Sequence, residues 1–373
     1  MKEKFLSKIF AFFKKEIVLC LAAILSIISM FFVPPSAEYL EYMDWRVLAL
    51  LFGLMLVVGG LQSIGTFRYL GLRLLSRTRD ARTLSLLLVA LCFFSAMLIT
   101  NDVALLTFVP FGIAVLGVAE KPRLILPVVV LQTVAANLGS MLTPPGNPQN
   151  IHLFSHYAMG AGEFFAATAP ICALSGVLIA LMCLGLKNES ISVHFGQSPG
   201  VDRKEMLLSA LLFLLSMLVV FRVMEWYVLL PVFIIICLIF DRSLLAKADF
   251  MLLLTFCCFF IFVGNIGRIG PVRDAIAGMI AGREILLGAL LSQVISNVPA
   301  AVLLSGFTEG GRELLIGVNI GGLGTPVASL ASLISLKLYG QSRGADSGKF
   351  MAAFLAVNFA LLALLRCFAL LVM

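Results

Sequence analysis

The chain of 373 residues is 61% hydrophobic and only 13% charged, with a mean hydropathy of +1.07. A soluble globular domain is typically about a quarter charged, so this composition excludes a protein that faces water on all sides and indicates a polytopic membrane protein. The formal net charge of +7 also suggests nucleic-acid binding as a function. The positions of the basic residues give another explanation for this charge.

Apolar segments of spanning or near-spanning length follow one another along nearly the whole chain. We predict them at 17–33, 46–62, 83–99, 103–118, 124–142, 163–186, 205–221, 226–240, 249–266, 284–295, 300–307, 312–339 and 349–372. The first has no small-residue cleavage site, so we interpret it as a mature span and not as a signal peptide. The eight cysteines lie in or beside these runs without metal-ligand spacing, which indicates neither disulfides nor a zinc site.

Some of these segments are too short to cross a bilayer, because a core of about 30 Å needs about 20 helical residues. The pieces around Ser296-Asn297 are of this kind, so we predict a re-entrant helical hairpin over 284–307. The same pattern predicts a hairpin over 83–118 with its tip at Thr100-Asn101-Asp102. Its arms are longer, and two full spans remain the alternative there.

The basic residues predict the orientation, because cytoplasmic loops of membrane proteins carry an excess of Lys and Arg. Most of the 27 lysines and arginines fall in cytoplasmic segments if the N-terminus is inside. This predicts an inner-membrane protein with a cytoplasmic N-terminus, an outer C-terminus and about 9 full spans. The first hairpin then opens to the cytoplasm and the second to the outside. The basic excess is a topology signal, and we expect no nucleic-acid partner.

A repeat relates the two halves of the chain. Asn137-x-Gly139-x-x-x-Thr143-Pro144 recurs as Asn319-x-Gly321-x-x-x-Thr325-Pro326, and each copy follows a hairpin tip. Proline and glycine break the helices predicted over 124–157 and 312–339. We therefore predict an all-α polytopic membrane protein with two inverted repeats, 1–186 and 205–373, joined by a cytoplasmic linker at 187–204. Each repeat holds one re-entrant hairpin and one broken transmembrane helix.

The breaks imply a binding site, because non-helical backbone at membrane depth persists only where it is buried in protein or lines a wet cavity. A break frees carbonyl groups at the end of one half-helix and N–H groups at the start of the next. These groups bind cations and anions respectively. Inverted repeats with broken helices are the layout of a secondary transporter. We therefore expect a passenger and its driving ion to satisfy the breaks.

The motifs resemble those of the ion transporter superfamily, which includes divalent anion/sodium symporters, citrate carriers, arsenite permeases and a sodium/proton antiporter branch. The stretches that carry the resemblance are Thr100-Asn101-Asp102-Val103, Thr143 to Asn150, Ser296-Asn297-Val298-Pro299 and Gly324-Thr325-Pro326. The resemblance implies a homodimer with a scaffold and a mobile transport domain that moves like an elevator. It also implies sodium sites formed by the hairpin tips and the loops in the broken helices.

The tips depart from the dicarboxylate branch, whose hairpin tips read Ser-Asn-Thr. Here the third positions are Asp102 and Val298. An ionised Asp repels an anion, and a Val side chain donates no hydrogen bond. The departures favour inorganic, arsenite-like or monoanionic substrates over dicarboxylates.

The candidate substrate- and ion-binding residues lie at the tips and the breaks. They are Thr100, Asn101, Asp102, Asn137, Thr143, Pro144, Asn147, Ser296, Asn297, Asn319, Thr325 and Pro326. The candidate sodium ligands among them are Asn101, Asp102, Thr143, Asn297 and Thr325. Their alternative role is to satisfy backbone groups within the breaks, and Asn137 and Asn319 could instead stabilise the crossing of the half-helices.

Asp102 is the one acidic residue that we place deep in the membrane, where carboxylates are costly and functional by default. It would act as a sodium ligand or, since apolar surroundings favour the neutral carboxyl group, as a proton carrier. The alternative is that Asn101 and Asp102 only cap the second hairpin arm.

A few other polar residues could line the site or only support it. Asn147 is favoured over Gln149 for lining the site, and Ser329 and Ser332 suit close helix packing. His152 and His156 share a helix face but have no third ligand nearby in the sequence. We expect no metal site there.

These patterns predict a secondary active transporter of a small anion or oxyanion, carboxylate or arsenite-like, coupled to sodium or protons by elevator-type alternating access. The sequence has no Walker motif and no Ser/His, paired-Asp or HExxH constellation, so we expect no enzyme and no cofactor apart from a coupling ion such as sodium. A sodium/proton antiporter that uses Asp102 and a passive anion channel remain the alternatives.

Overall fold

The computed structural model describes residues 16–63, 65, 69, 78–191, 203–240, 242–342 and 344–372. The lysines of the extreme N-terminus and the middle of the predicted linker at 187–204 lie outside the described residues. Every regular element in the described ranges is helical, apart from an isolated bridge between Asp80 and Ser190. The helices are α1 Ile17–Met30, α2 Trp45–Ser63, α3 Ala81–Ile99, α4 Asn101–Val118, α5 Ile125–Ser140, α6 Pro148–His156, α7 Ala161–Leu184, α8 Arg203–Val220, α9 Trp226–Phe240, α10 Phe250–Arg268, α11 Gly270–Ile280, α12 Glu284–Ile295, α13 Asn297–Ser305, α14 Gly311–Gly321, α15 Leu330–Gly340 and α16 Ser347–Val372.

Seven helices in the described part of the chain are long and apolar enough to cross a membrane, or up to eight if the bent pair of α11 and α12 counts as one span. The seven spans are Trp45–Gln62, Ala81–Ile99, Asn101–Val118, Pro122–Ser140, Ala161–Leu184, Phe250–Arg268 and Ser347–Val372. The all-helical, polytopic membrane fold is thereby confirmed. The inverted orientation of the halves and the total of about 9 spans remain predictions.

Each predicted hairpin consists of two helices joined by a single residue. Helices α3 and α4 have 19 and 18 residues and meet at Thr100, whereas α12 and α13 have 12 and 9 and meet at Ser296. The arms of the second hairpin are too short to cross a bilayer. The arms of the first are long enough, which agrees with the two-span alternative in length.

Both predicted helix breaks are present, and proline and glycine shape them. Between α5 and α6 the chain forms a 3-10 turn at Pro144–Gly146, and between α14 and α15 it forms another at Pro326–Ala328. Proline lacks an N–H group and fixes φ, so it stops one helix and suits the first position of the next. At Gly146 a Cβ atom would lie 2.0 Å from the Ser140 carbonyl oxygen, so the first break requires glycine there.

The helices pack in two groups. The flanking group consists of α1, α2, α8, α9 and α10, and the site group consists of α3 to α7 and α12 to α16. All candidate site residues belong to the site group or to the breaks within it. The groups meet where α10 packs on α13 and where α2 packs on α6. A site on one group can therefore face an apolar wall that belongs to the other.

Candidate functional site

Four helices of the site group begin around one small chamber of about 10 Å³. The residues that line it are Asn101 and Asp102 of α4, Pro148 and Gln149 of α6, Asn297 and Val298 of α13, Ser329 and Leu330 at the start of α15, and Leu252 of the flanking group. The N-terminus of a helix carries roughly half a positive charge. Four such ends around one point favour an anion.

A cavity of about 490 Å³ adjoins this chamber, between the flanking group and the site group. Asp102, Pro148, Leu252 and Leu330 line both spaces. The volume falls within the range of small-molecule sites, roughly 300 to 1,000 Å³. Its residues are Leu51, Leu54, Met55, Val58, Gly59, Gln62, Thr100, Asp102, Val103, Leu106, Pro148, Ile151, Asp249, Leu252, Leu330, Leu333, Ile334 and Lys337.

Three polar residues at the edge of the large cavity, Asp249, Lys337 and Gln62, indicate which end of it lies near the membrane surface. Asp249 caps the start of α10, and Lys337 lies in the last turn of α15. Gln62, near the end of α2, lies at the same cavity. The sequence predicts all three on the cytoplasmic side. At the opposite end of the interface, a smaller gap of about 140 Å³ separates Tyr42 from His156.

Asp102 lies in the first turn of α4 and is half-buried. Among the described residues it is the only charged side chain that lines the small chamber, and its carboxylate has no hydrogen-bond or ion-pair partner there. The cap of α4 is not formed by this carboxylate, because the Asp102 N–H donates to the Asn101 side-chain oxygen at 3.0 Å. Of the two residues considered for capping, Asn101 therefore accepts from an N–H group at the start of this arm, and the Asp102 carboxylate remains available to a proton or a ligand.

Asn137 makes four side-chain hydrogen bonds, three of which join it to the other half of the chain. Its side-chain oxygen accepts from the Asn101 amide and the Ser329 hydroxyl, each at 3.0 Å. Its amide donates to the Gly322 carbonyl at 3.4 Å and to the Ser332 hydroxyl at 3.3 Å. Ser329 and Ser332 therefore contribute their hydroxyl groups, where the sequence favoured only their small size.

Asn319 makes the matching connection from the second half. Its amide donates to the Asn150 side-chain oxygen at 2.7 Å and to the Leu315 carbonyl at 2.8 Å. Its oxygen accepts from the Asn147 amide at 3.1 Å. Asn137, Asn147 and Asn319 thus lie in the crossing of the half-helices. The chamber is lined by Gln149 instead of Asn147, contrary to the preference drawn from the sequence.

The carbonyl groups freed by the breaks are satisfied by side-chain amides. Asn150 donates to the carbonyls of Ser140 and Met141, each at 3.3 Å, and of Thr143 at 3.0 Å. Gln293 donates to the carbonyls of Gly321 and Leu323 at the second break, each at 2.9 Å, and also to that of Ala289 within α12, at 3.0 Å. The expectation that only a passenger and a driving ion could satisfy the breaks is therefore wrong. Sequence reasoning missed both amides, although Asn150 stands in the proline-rich motif.

The remaining candidates lie near the chamber without lining it. Thr143 donates its hydroxyl to the Met97 carbonyl, and Thr325 donates to the Gln293 carbonyl at 3.0 Å. Each bond ties a break to the arm that leads to a hairpin tip. The other candidates outside the small chamber are Pro144 and Pro326, which start the 3-10 turns, Ser296, which donates to the Ala328 carbonyl at 3.4 Å, and Thr100, which lines the large cavity.

His152 and His156 bind the second hairpin. The His152 Nε2 lies 2.8 Å from the Ser305 hydroxyl, and the His156 Nε2 lies 3.1 Å from the Ser305 carbonyl. Within the described residues no three His, Cys, Asp or Glu side chains are grouped to hold a metal ion. The pair therefore connects α6 to the end of α13.

Several known proteins are similar in sequence to this chain, two of them over most of its length. A sequence model of a family described as citrate transporter matches residues 6–309. An uncharacterized transporter of Methanocaldococcus jannaschii is 33% identical over 304 residues, which cover 81% of this chain and 83% of that protein. The inner membrane protein YbiR of Escherichia coli is 30% identical over 320 residues, with 84% and 85% covered. The silicon efflux transporter LSI3 of Oryza sativa subsp. japonica is 29% identical over 167 residues, with 44% and 33% covered. The matches confirm the resemblance to the ion transporter superfamily.

Proposed function

The chain belongs to the citrate transporter family and is a membrane transporter, and we propose that it is a secondary active carrier that moves a small anion or oxyanion together with a proton held by Asp102. The observation that supports this most directly is the small chamber, where four helix N-termini meet one carboxylate. The proposal favours protons over sodium among the two coupling ions considered from the sequence.

The charges around the chamber couple the two ligands. Four helix ends contribute about two positive charges in total, and an ionised Asp102 offsets about half of them. An anion that enters the chamber is attracted by the helix ends and repelled by the ionised carboxylate. Anion binding and protonation of Asp102 therefore favour each other, and the effect is reciprocal by linkage. A carrier with this property moves anion and proton in the same direction.

The charge count also selects among substrates. Within the described residues no Lys or Arg lines the small chamber, so a polyanion has no cationic partner there. Lys337 lines only the adjoining cavity. A monoanion or a weak oxyacid fits this arrangement better than a fully ionised citrate. The rice relative is named a silicon efflux transporter, and that name agrees with an oxyacid.

The arrangement of the two helix groups supports alternating access. The polar site residues belong to the site group, while the flanking group contributes Leu252 as an apolar wall. The large cavity lies at one end of the interface, and a smaller gap lies at the other. We propose that the site group moves against the flanking group like an elevator, within a homodimer in the inner membrane. A passive channel would need a continuous pore instead.

The test is uptake by the purified protein in proteoliposomes, with sodium and pH gradients imposed independently and with arsenite, sulfate, succinate and citrate as substrates. We expect a proton gradient to drive accumulation of one of the smaller species. Asp102→Asn mimics the protonated carboxyl group, so it should retain substrate counterflow and lose accumulation driven by the gradient. Asp80→Asn is the matched control, because Asp80 lines neither space and Asn can also accept the cap bond that the Thr83 N–H donates at 2.9 Å.

The outcomes separate the alternatives. Gradient-driven accumulation by Asp102→Asn at the wild-type level would refute the role of Asp102. Proton movement driven by sodium without any substrate would indicate a sodium/proton antiporter. Flux that never shows counterflow would indicate a passive channel.

A further inference from the structure

We propose that the amide groups of Gln293 and Asn150 take the place of sodium ions at the two helix breaks, and that these residues exclude sodium as a coupling ion. The inference deepens the proposed function. The exclusion of sodium as a coupling ion rests on the proposed carrier function, whereas the absence of sodium binding does not. Carbonyl oxygens at a broken helix are typical ligands for a coupling cation. In this chain a tethered NH₂ group lies among them.

Gln293 shows the substitution most clearly. Its nitrogen lies within hydrogen-bond distance of three carbonyl oxygens that share its two hydrogens, those of Gly321 and Leu323 at the break and that of Ala289 in α12, at 2.9 to 3.0 Å. Its side-chain oxygen accepts from the Thr325 N–H at 2.8 Å. The carboxamide is therefore paired at both ends, and its nitrogen lies at the centre of a group of oxygens of the kind that hard cations prefer.

The backbone of the second break is shaped around this side chain. Gly324 has φ +105, and a Cβ atom there would lie 2.2 Å from the Gln293 side-chain oxygen. A larger residue at 324 would displace the carboxamide. The close approach indicates that the amide is a fixed part of the break.

Asn150 repeats the arrangement at the first break. Its NH₂ group also donates to three carbonyl oxygens, those of Ser140, Met141 and Thr143. The two amides come from different places in the sequence, one after its break and one before its hairpin tip. In the register of the repeat Met141 corresponds to Leu323, and each of these two carbonyl groups accepts from one of the amides. Different residues thus satisfy a carbonyl group at the same place in both breaks.

We expect that replacing the amide nitrogen of either side chain by an oxygen creates a sodium site. Gln293→Glu keeps the shape of the side chain and keeps an oxygen for the Thr325 N–H, but it replaces the NH₂ group by a second oxygen. That oxygen then faces three carbonyls with no donor, which is costly when buried. A sodium ion would find one carboxylate and three carbonyl oxygens, a suitable ligand set for a hard cation. Asn150→Asp has the same consequence at the first break.

The experiment measures sodium binding through stability, without transport. Wild-type protein, Gln293→Glu and Asn150→Asp are purified in detergent at pH 8. The melting temperature is followed with a thiol-reactive dye that reports the buried Cys92 and Cys172. Sodium chloride is titrated against choline chloride at constant ionic strength. We expect no sodium-specific shift in the wild type and a saturable rise of several degrees in each variant, because sodium binds only the folded state.

Asn358→Asp is the matched control. Asn358 is fully buried, and its amide donates to a single carbonyl, that of Phe354 at 2.8 Å. The substitution makes the same chemical change without a group of carbonyls around it. We expect no sodium-specific stabilisation of this variant, so a general response of buried carboxylates to sodium would be visible here.

Two results would overturn the inference. One is saturable stabilisation of the wild type by sodium. The other is the lack of a sodium response in a folded variant, judged by a single symmetric peak in size-exclusion chromatography. If Gln293→Glu does not fold, the wild-type titration and Asn150→Asp still decide. Proton-driven uptake with a sodium response in the wild type would reject this inference alone, whereas uptake independent of Asp102 would reject the proposed function and leave the amides in place.

Discussion

The tips of the two hairpins hold residues in a backbone conformation that is essentially restricted to glycine. Thr100 has φ 69 and ψ 149, and Ser296 has φ 74 and ψ 155. Such a conformation costs about 1–3 kcal/mol for a residue with a side chain. Ser296→Gly removes this cost, and the extra freedom of glycine in the unfolded chain returns about 0.4–1 kcal/mol of it. The lost hydrogen bond to the Ala328 carbonyl is long, at 3.4 Å, and contributes little.

We therefore expect Ser296→Gly to stabilise the protein by about 1 kcal/mol, which corresponds to a rise in melting temperature of roughly 2 °C. The assay is thermal unfolding in detergent, followed through the reactivity of buried cysteines. Ser292→Gly is the control, because it makes the same change four residues earlier within α12. There a helical residue is replaced, and we expect a loss of about 0.5–1 kcal/mol.

The direction of the change in melting temperature shows whether the tip residue is strained. If Ser296→Gly lowers the melting temperature as much as Ser292→Gly, the tip is not strained and the reasoning is wrong. Strained backbone persists only where its surroundings over-determine it, and it often pre-organises a functional site. Asn297 of the small chamber directly follows the tip residue, so the stabilised variant should also show slower counterflow.

Two further predictions concern the junction of the halves and the start of the linker. Asn137→Ala leaves the Asn101 amide and the Ser329 hydroxyl without an acceptor, and the cost of about 1–3 kcal/mol per buried unpaired group should lower the melting temperature more than Asn358→Ala does. Hydrogen bonds from Lys121 and then Lys187 lower the pKa of Glu189 below its ordinary value of 4.5. The linker contact is therefore complete above that value and is lost as the pH falls through the lower value of the folded state. Pepsin cleavage near 187–191 should rise in that acidic window, and Glu189→Gln should remove the pH dependence.

The positions of the tips and breaks could be predicted from the sequence, because proline, glycine and amide residues interrupt apolar runs that are otherwise continuous. The hairpin predicted over 284–307 corresponds to helices at Glu284–Ile295 and Asn297–Ser305. Such interruptions are readable because a helix in lipid has few other reasons to contain them. Spacing alone therefore located the hairpin tips and the helix breaks to within a few residues.

The direction of each polar side chain could not be predicted in the same way. Asn147 and Gln149 stand two residues apart, yet Asn147 turns back to accept from the Asn150 N–H at 3.0 Å, while Gln149 lines the chamber. A repeat in the sequence shows which residues correspond, but it does not show which of them face a cavity. That depends on where the neighbouring half-helix passes, and Asn319 of the other half binds Asn147.

The two sides of each break differ, and this difference bears on the choice between an anion and a cation. The carbonyl side is closed, because Asn150 and Gln293 already donate to its oxygens. The N–H side differs between the two breaks, since the Asn147 side chain caps α6 whereas α15 has no side-chain cap. Among the described residues that line the chamber, the Gln149 side-chain oxygen is buried without a partner, and the carboxylate of Asp102 is the one negative charge. Protonation neutralises Asp102, and a bound anion can then supply the negative charge that the surrounding helix N-termini favour. The site is therefore suited to an anion that binds together with a proton.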